Sequence, residues 1–168
     1  MDHLKLVQVL APAVALTTSG GILALSYYTS PILRSITARS IPDSAAFALS
    51  ELRALFSSGS HVFPQMATLS AGLSTYLAWS CPDARPGYIG AAVGAISIAP
   101  FTVLYMLPVC NGRLIELDEK AKQDKTAVRG KGTEREVLSL LSEFERLNAI
   151  RAGLLALGGL IGLWTALS

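Results

Sequence analysis

His61 is the one imidazole inside the long uncharged stretches of this 168-residue chain, and Arg151 is the one guanidinium set within an apolar segment. At 100° per residue, Ser57, His61, Gln65, Thr68, Gly72, Thr75 and Trp79 fall within about 40° of one line, a polar and small-residue stripe on a helix. Asn148 and Arg151 share a face of the last apolar segment with Leu155, Gly159 and Gly162. Pro108-Val109-Cys110-Asn111-Gly112-Arg113 closes the third such segment, and Tyr27-Tyr28 closes the first. Ionisable groups within membrane-spanning segments are costly and mark function by default. A few polar groups among apolar walls suit the binding of a small molecule. Other chemistries lack their residues. His3 and His61 are the only histidines and no carboxylate lies within a span, which leaves no zinc or di-iron cage. Paired-histidine haem ligation would need His3, expected on the far side. There is no dinucleotide fingerprint, no P-loop and no hydrolytic triad.

The elements that must position these residues are membrane spans. No Asp, Glu, Lys or Arg occurs in Leu6–Leu33, Ala54–Pro82 or Pro86–Gly112, runs of 28, 29 and 27 residues, and 17 more uncharged residues follow Arg151. Each can hold the roughly 20 apolar residues that cross a bilayer. The expected fold is all-α, a transmembrane four-helix up-and-down bundle forming a single membrane domain. Its spans are expected at about 6–28, 54–80, 88–110 and 147–166. Pro31 is expected just past the first helix end. A connection carrying Arg34, Arg39 and the Ile41-Pro42-Asp43 turn signal leads to a short interfacial helix, Ser44–Arg53. Pro100 and Pro108 are expected to bend the third span. The charged connection 113–146 follows, with an exposed helix over Leu114–Gln123 and a flexible loop at Arg129–Thr133. The first apolar run lacks a basic leader and is read as a retained helix. Gly20-Gly21, Gly90-x-x-x-Gly94, Gly153 and Gly158-x-x-x-Gly162 with Gly159 mark helix contacts, because small residues let backbones approach in lipid.

Net charge is +2, and nothing in it suggests a nucleic-acid surface. Eleven Lys/Arg fall on the first and third connections against Lys5 and Arg85 on the other side. This asymmetry places the long connections in the cytosol and both termini outside or in a lumen. Cys81 and Cys110 then lie on opposite faces and cannot be bridged.

On this topology His61, Asn111, Arg113, Asn148, Arg151, Tyr27 and Tyr28 all come to one depth, at a pocket open toward the cytosolic leaflet. Plainer readings stand beside this one. Arg113 fits an interfacial anchor, Tyr27 and Tyr28 an aromatic belt, and Asn111 a helix cap. Snorkelling accounts for Arg151, and an interhelical hydrogen bond for His61.

Three blocks resemble the fungal anthrone oxygenases, small membrane proteins within a larger domain family: Gly59-Ser60-His61-Val62-Phe63-Pro64-Gln65, Tyr105-Met106-Leu107-Pro108-Val109-Cys110-Asn111-Gly112-Arg113-Leu114, and Leu147-Asn148-Ala149-Ile150-Arg151. The resemblance covers nearly the whole chain in span order and spacing. It implies oxidation of a flat aromatic polyketide, an anthrone, to an anthraquinone, with O2 as co-substrate and no metal, flavin or other cofactor. The expected setting is the endoplasmic reticulum or a related endomembrane. For that reaction the candidate catalytic set is His61, the one imidazole among the spans, as base, Arg151 or Arg113 on the oxyanion, and Asn111 and Asn148 orienting it. Tyr28, Gln65, Thr68 and Tyr105 are the expected substrate contacts. Two non-enzymatic readings compete: a membrane partner that holds a soluble polyketide enzyme through 113–146, and a carrier of lipophilic molecules. The expected partners are the lipid bilayer and the substrate, with a homo-oligomer or a polyketide enzyme as a further possibility.

Overall fold

The computed structural model describes residues 3–39, 41 and 43–168; Pro42 of the expected turn signal lies outside them. The described residues are helical with no strand. The first helix, α1 (His3–Ala38), carries Pro12 and Pro31 within it. The second, α2 (Ser44–Ser80), contains Pro64. A 3₁₀ turn at Pro82–Ala84 opens α3 (Arg85–Ile96), followed by α4 (Ile98–Phe101), a π-helical segment Thr102–Asn111 and α5 (Gly112–Gln123). A second 3₁₀ turn, Lys125–Val128, leads to α6 (Lys131–Leu167).

Three helical stretches, His3–Ala38, Pro82–Gln123 and Lys131–Leu167, are long and apolar enough to cross a membrane. Uncharged as Ala54–Ser80 is, the Ser, Thr, His and Gln residues of α2 keep its hydropathy below theirs.

Several helices outrun the expected spans. Pro31 does not end α1, which continues to Ala38. Ser44–Arg53 is not a separate interfacial helix but the first turns of α2. As expected, the helix that restarts before Arg146 runs on without interruption into the last apolar run. The third span stays helical past Ser97, whose N–H bonds Val93 O and whose carbonyl accepts from Phe101 N, and then widens into the π segment that contains Pro108.

These extensions build a second core beyond the apolar runs. Leu49 and Leu52 of α2 pack with Leu114, Leu117 and Ala121 of α5 and with Val137 and Leu141 of α6. The helix expected to lie exposed over Leu114–Gln123 therefore buries one face. Apart from Asp118, which is buried and paired with Lys122 at 2.6 Å, its charges sit on the other, where Arg113 pairs with Glu116 at 2.8 Å and Glu136 at 2.6 Å. Asp43, in the left-handed region at φ 64°, receives Arg129 Nε at 2.8 Å. That pair ties the α1–α2 turn to the α5–α6 connection.

Within the apolar runs the core is mostly alanine: Ala15, Ala67, Ala71, Ala95 and Ala152, with Ile22, Ile98 and Leu155. Serine hydroxyls bridge helices by donating to buried main-chain carbonyls. Ser19 reaches Ala152 O at 2.8 Å and Ser70 reaches Ala11 O at 2.9 Å. Ser30 reaches Leu141 O at 3.0 Å. The paired positions 19/152 and 30/141 make α1 and α6 antiparallel. At the far end Gln8 Nε2 donates to the buried Tyr88 hydroxyl at 3.1 Å.

The closest helix crossing is backbone on backbone. A Cβ on Gly94 would lie 2.6 Å from Gly158 Cα, and one on Gly158 would lie 2.9 Å from Ala91 O. Gly159 packs against Leu16, and Gly162 against Ala91. Gly20 and Gly153, also expected at contacts, have nothing within 4 Å of a built Cβ.

Cys81 and Cys110 are both free thiols, and buried Cys110 Sγ donates to Leu140 O at 3.3 Å.

Two predictions follow from this packing. Gly94→Ala and Gly158→Ala each lose about 1–3 kcal/mol, since the obstruction is backbone that cannot swing away. Gly153→Ala loses nothing, because the site is open. Thermal unfolding in detergent micelles checks both, and equal melting points for Gly94→Ala and Gly153→Ala contradict the crossing. For the extension, Lys120 and then Arg113 hold the Glu116 carboxyl at about 2 against an ordinary 4.5. Its contribution to stability is complete above the ordinary value and fades as pH falls toward 2. NMR titration of Arg113→Ala is expected to show the Glu116 midpoint moving back up, and an unmoved midpoint refutes the pairing.

Candidate functional site

Just beyond the Gly94–Gly158 crossing, the helices part around a cavity of about 640 Å³. Its walls are largely apolar: Ile22 and Leu25 from α1, Leu55, Phe56 and Phe63 from α2, Ile98 and Ala99 from α4, and Phe144 from α6. The polar groups that reach it are Ser26, Thr29, Arg53, Ser57, Ser60, His61, Thr102, Asn111, Asn148 and Arg151. Among the described residues neither Asp nor Glu lines it.

Each of these side chains owes its place to a local feature. On α2, Arg53, Ser57 and His61 are spaced i, i+4, i+8 and rise along one side of the helix. His61 Nδ1 lies 2.6 Å from Ser57 O. A carbonyl only accepts, so neutral His61 carries its proton on Nδ1 and leaves the Nε2 lone pair free. The ring itself is exposed at the cavity rim. On α6, Asn148 and Arg151 share a face three residues apart, with Asn148 only 5% exposed. Asn111 depends on the π segment. In an α-helix, Thr102, Leu107 and Asn111 would spread over about 180°. Bonding from residue i+5 to i widens the turn and brings all three to one side. The Gly112 N–H reaches Leu107 O in this wider pattern, and a Cβ on Gly112 would sit 2.9 Å from that oxygen.

The electrostatics are lopsided. Arg151 Nη1 touches Met106 S at 3.6 Å, its Nε is buried with no partner, and no carboxylate pairs with it. Asn111 Oδ1 is likewise buried without a partner. A cation and an amide in an apolar enclosure, both unsatisfied by the protein, are arranged for an anionic or polar ligand.

His61 and Arg151 lie at one level. The Phe63 ring stands 3.4 Å from a Cβ built on Gly21, and Ser19, half a turn from Gly21, binds Ala152 O.

Of the residues singled out in the sequence, the cavity gathers His61, Asn111, Asn148 and Arg151. It also takes in Ser57 of the α2 stripe, but not the remaining candidates. Arg113 is drawn into its ion pairs with Glu116 and Glu136. Tyr28 is 75% and Tyr105 46% exposed, and neither lines the cavity. Gln65 and Thr68 are exposed outside it, because beyond Pro64 the buried face of α2 is Ala67, Ser70, Ala71 and Ser74. Arg53, Ser26, Thr29 and Thr102 line the cavity without having been singled out. Extending the α2 stripe one turn upstream from Ser57 reaches Arg53. The other three carried no distinguishing signal.

The family model for "Anthrone oxygenase" matches residues 52–161. These bounds enclose Arg53, His61, Asn111, Asn148 and Arg151. The chain is 33% identical over 172 residues to anthrone oxygenase encC of Aspergillus fumigatus, covering 96% of this chain and 93% of that protein. No solved structure matches it. With the family model spanning most of the chain and this relative aligned almost end to end, the protein belongs to the anthrone oxygenase family of enzymes.

Proposed function

We propose that the protein is a four-helix up-and-down membrane bundle that oxidises an anthrone-type aromatic polyketide to the anthraquinone, using O2 and no metal or organic cofactor. The observation that carries this reading is that one apolar cavity is lined both by His61, whose Nδ1 is held by Ser57 O, and by Arg151, whose Nε is buried without a partner. The proposed setting is the endoplasmic reticulum or a related endomembrane. Arg34, Arg39, Arg53 and α5 gather at one end of the bundle, which is the cytosolic end on the positive-inside rule. Gln8, Tyr88 and the C-terminal turns of α6 gather at the other, on the lumenal side.

The chemistry runs as follows. The His61 Nε2 lone pair takes one proton from the methylene carbon that joins the two outer rings. The electron pair left behind spreads through the rings onto the carbonyl oxygen, where the Arg151 guanidinium faces the charge. Asn148, on the same face of α6 as Arg151, supplies a further polar contact. This electron-rich anion gives one electron to O2. The resulting carbon radical and superoxide combine to form the C–O bond of a peroxide. The imidazolium returns its proton to the distal oxygen. Removal of the second methylene proton then breaks the O–O bond, forms the new C=O and releases water. Per turnover the substrate loses two hydrogens and gains one oxygen atom, and the other oxygen leaves as water. Placed base catalysis contributes about 10²–10⁴-fold. Preset stabilisation of an oxyanion contributes on the order of 10²–10³.

A cofactor-independent mechanism suits what lines the cavity: one imidazole, two guanidiniums and amides, with no thiol or carboxylate.

In an assay of purified protein with anthrone and oxygen, corrected for spontaneous oxidation, His61→Ala is expected to lower kcat about 10²–10⁴-fold. Arg151→Gln is expected to lower it about 10²–10³-fold. Arg113→Ala stays near the wild-type rate, because Arg113 is engaged outside the cavity. A well-folded His61→Ala protein with undiminished turnover removes His61 from the mechanism.

A further inference from the structure

The mechanism above uses one guanidinium, yet the cavity has two. Arg53 lines it, half-buried, with no carboxylate or carbonyl of the described residues bound to its side chain. Every other arginine of the long extensions that lies near an acid takes it: Arg34 binds Glu145, Arg113 binds Glu116 and Glu136, Arg129 binds Asp43, and Arg146 binds Glu143. Arg53 instead stands with Phe56, Ile115 and Phe144 along an apolar wall. A cation in that position gains most from an anion that arrives with the ligand.

Its distance from the reacting centre is fixed by the helix. Arg53 and His61 are eight residues apart on α2, about 12 Å along the axis at 1.5 Å per residue. Arg151 lies at the level of His61, so the two guanidiniums occupy opposite ends of the cavity. The span suits a fused tricyclic ring system whose central ring sits beside His61 and whose outer ring points toward Arg53. An acidic group on that outer ring and the reach of the arginine side chain together close the gap. Asn111, whose Oδ1 is buried and unpartnered, is on the segment whose neighbouring Cys110 binds Leu140 O, one turn of α6 before Phe144. This places Asn111 toward the Arg53 end, as an acceptor for a hydroxyl beside the acidic group.

We infer that Arg53 is a specificity-determining residue that selects anthrones bearing a carboxylate on an outer ring. This assignment rests on the proposed anthrone-oxidising role for the identity of the ring system, and on the geometry of the cavity for the charge. The neutral parent ring system binds without engaging Arg53.

Binding and turnover test it separately. Binding is measured by calorimetry on the full-length protein in detergent, with anthraquinone-2-carboxylate and its uncharged carboxamide as probes. Wild type is expected to favour the carboxylate by about tenfold to a hundredfold, the scale of a charge-assisted hydrogen bond. Arg53→Gln abolishes that preference and leaves carboxamide affinity within about twofold, whereas Arg53→Lys retains part of it. Equal wild-type affinity for acid and amide overturns the inference. So does an Arg53→Gln variant that keeps the preference or loses affinity for both probes alike. Turnover is followed with anthrone and its 2-carboxylate. Quinone formation no faster than the spontaneous rate with both substrates sinks the oxygenase reading, while the binding preference still decides the role of Arg53.

Discussion

Apolar helices in lipid gain nothing from hydrophobic burial against one another, so they hold together where backbones can touch. In this protein that place is the crossing of α3 and α6 at Gly94 and Gly158, where neither residue has room for a Cβ. The serine-to-carbonyl bonds from α1 and α2 and the alanine core lie around the same region. Close approach there sets the helices' spacing. The segment beyond it, with its π turns and its larger side chains, cannot follow at the same distance. The cavity is the space that results.

What fills the lining of that space gives it direction. Arg151, Arg53 and His61 reach it and no carboxylate does. Outside, on α5 and the first half of α6, positive and negative charges are paired off: Arg113 with Glu116 and Glu136, Lys122 with Asp118, Arg146 with Glu143. The contrast separates charge that serves the fold from charge left for a ligand. It also explains why Arg113 and Arg151, each adjacent to conspicuous polar residues in sequence, have different surroundings. Arg113 has acids within one turn and across on α6. Arg151 has Met106 and an apolar wall.

The limits of reading these features from sequence lie in particular residues. Runs without charge gave away the apolar segments, and His61, Asn111, Asn148 and Arg151 stood out because polar groups there are conspicuous. The α2 stripe misled in its lower half. Gln65 and Thr68 lie on the same line as His61, yet the helix buries the opposite face, so the stripe is part of the cavity wall only around Ser57 and His61. A wheel gives relative angles and leaves open which angle faces the neighbours. Tyr28 and Tyr105 were drawn in by their position at segment ends, and both turn outward. Helix ends were misjudged for a related reason. Pro31 signals interruption in isolation, but α1 continues through it to Ala38.

By itself the sequence determined the long apolar segments, the helical class, the family and four of the polar residues that reach the cavity, because charge, period and residue type are local properties. Only the tertiary structure decided that Arg53 joins them and Arg113 does not, that Asn111 turns inward, and that His61 presents its Nε2. Those outcomes depend on which helix faces meet, on a widened turn over Thr102–Asn111, and on which carbonyl or carboxylate lies within reach of each side chain.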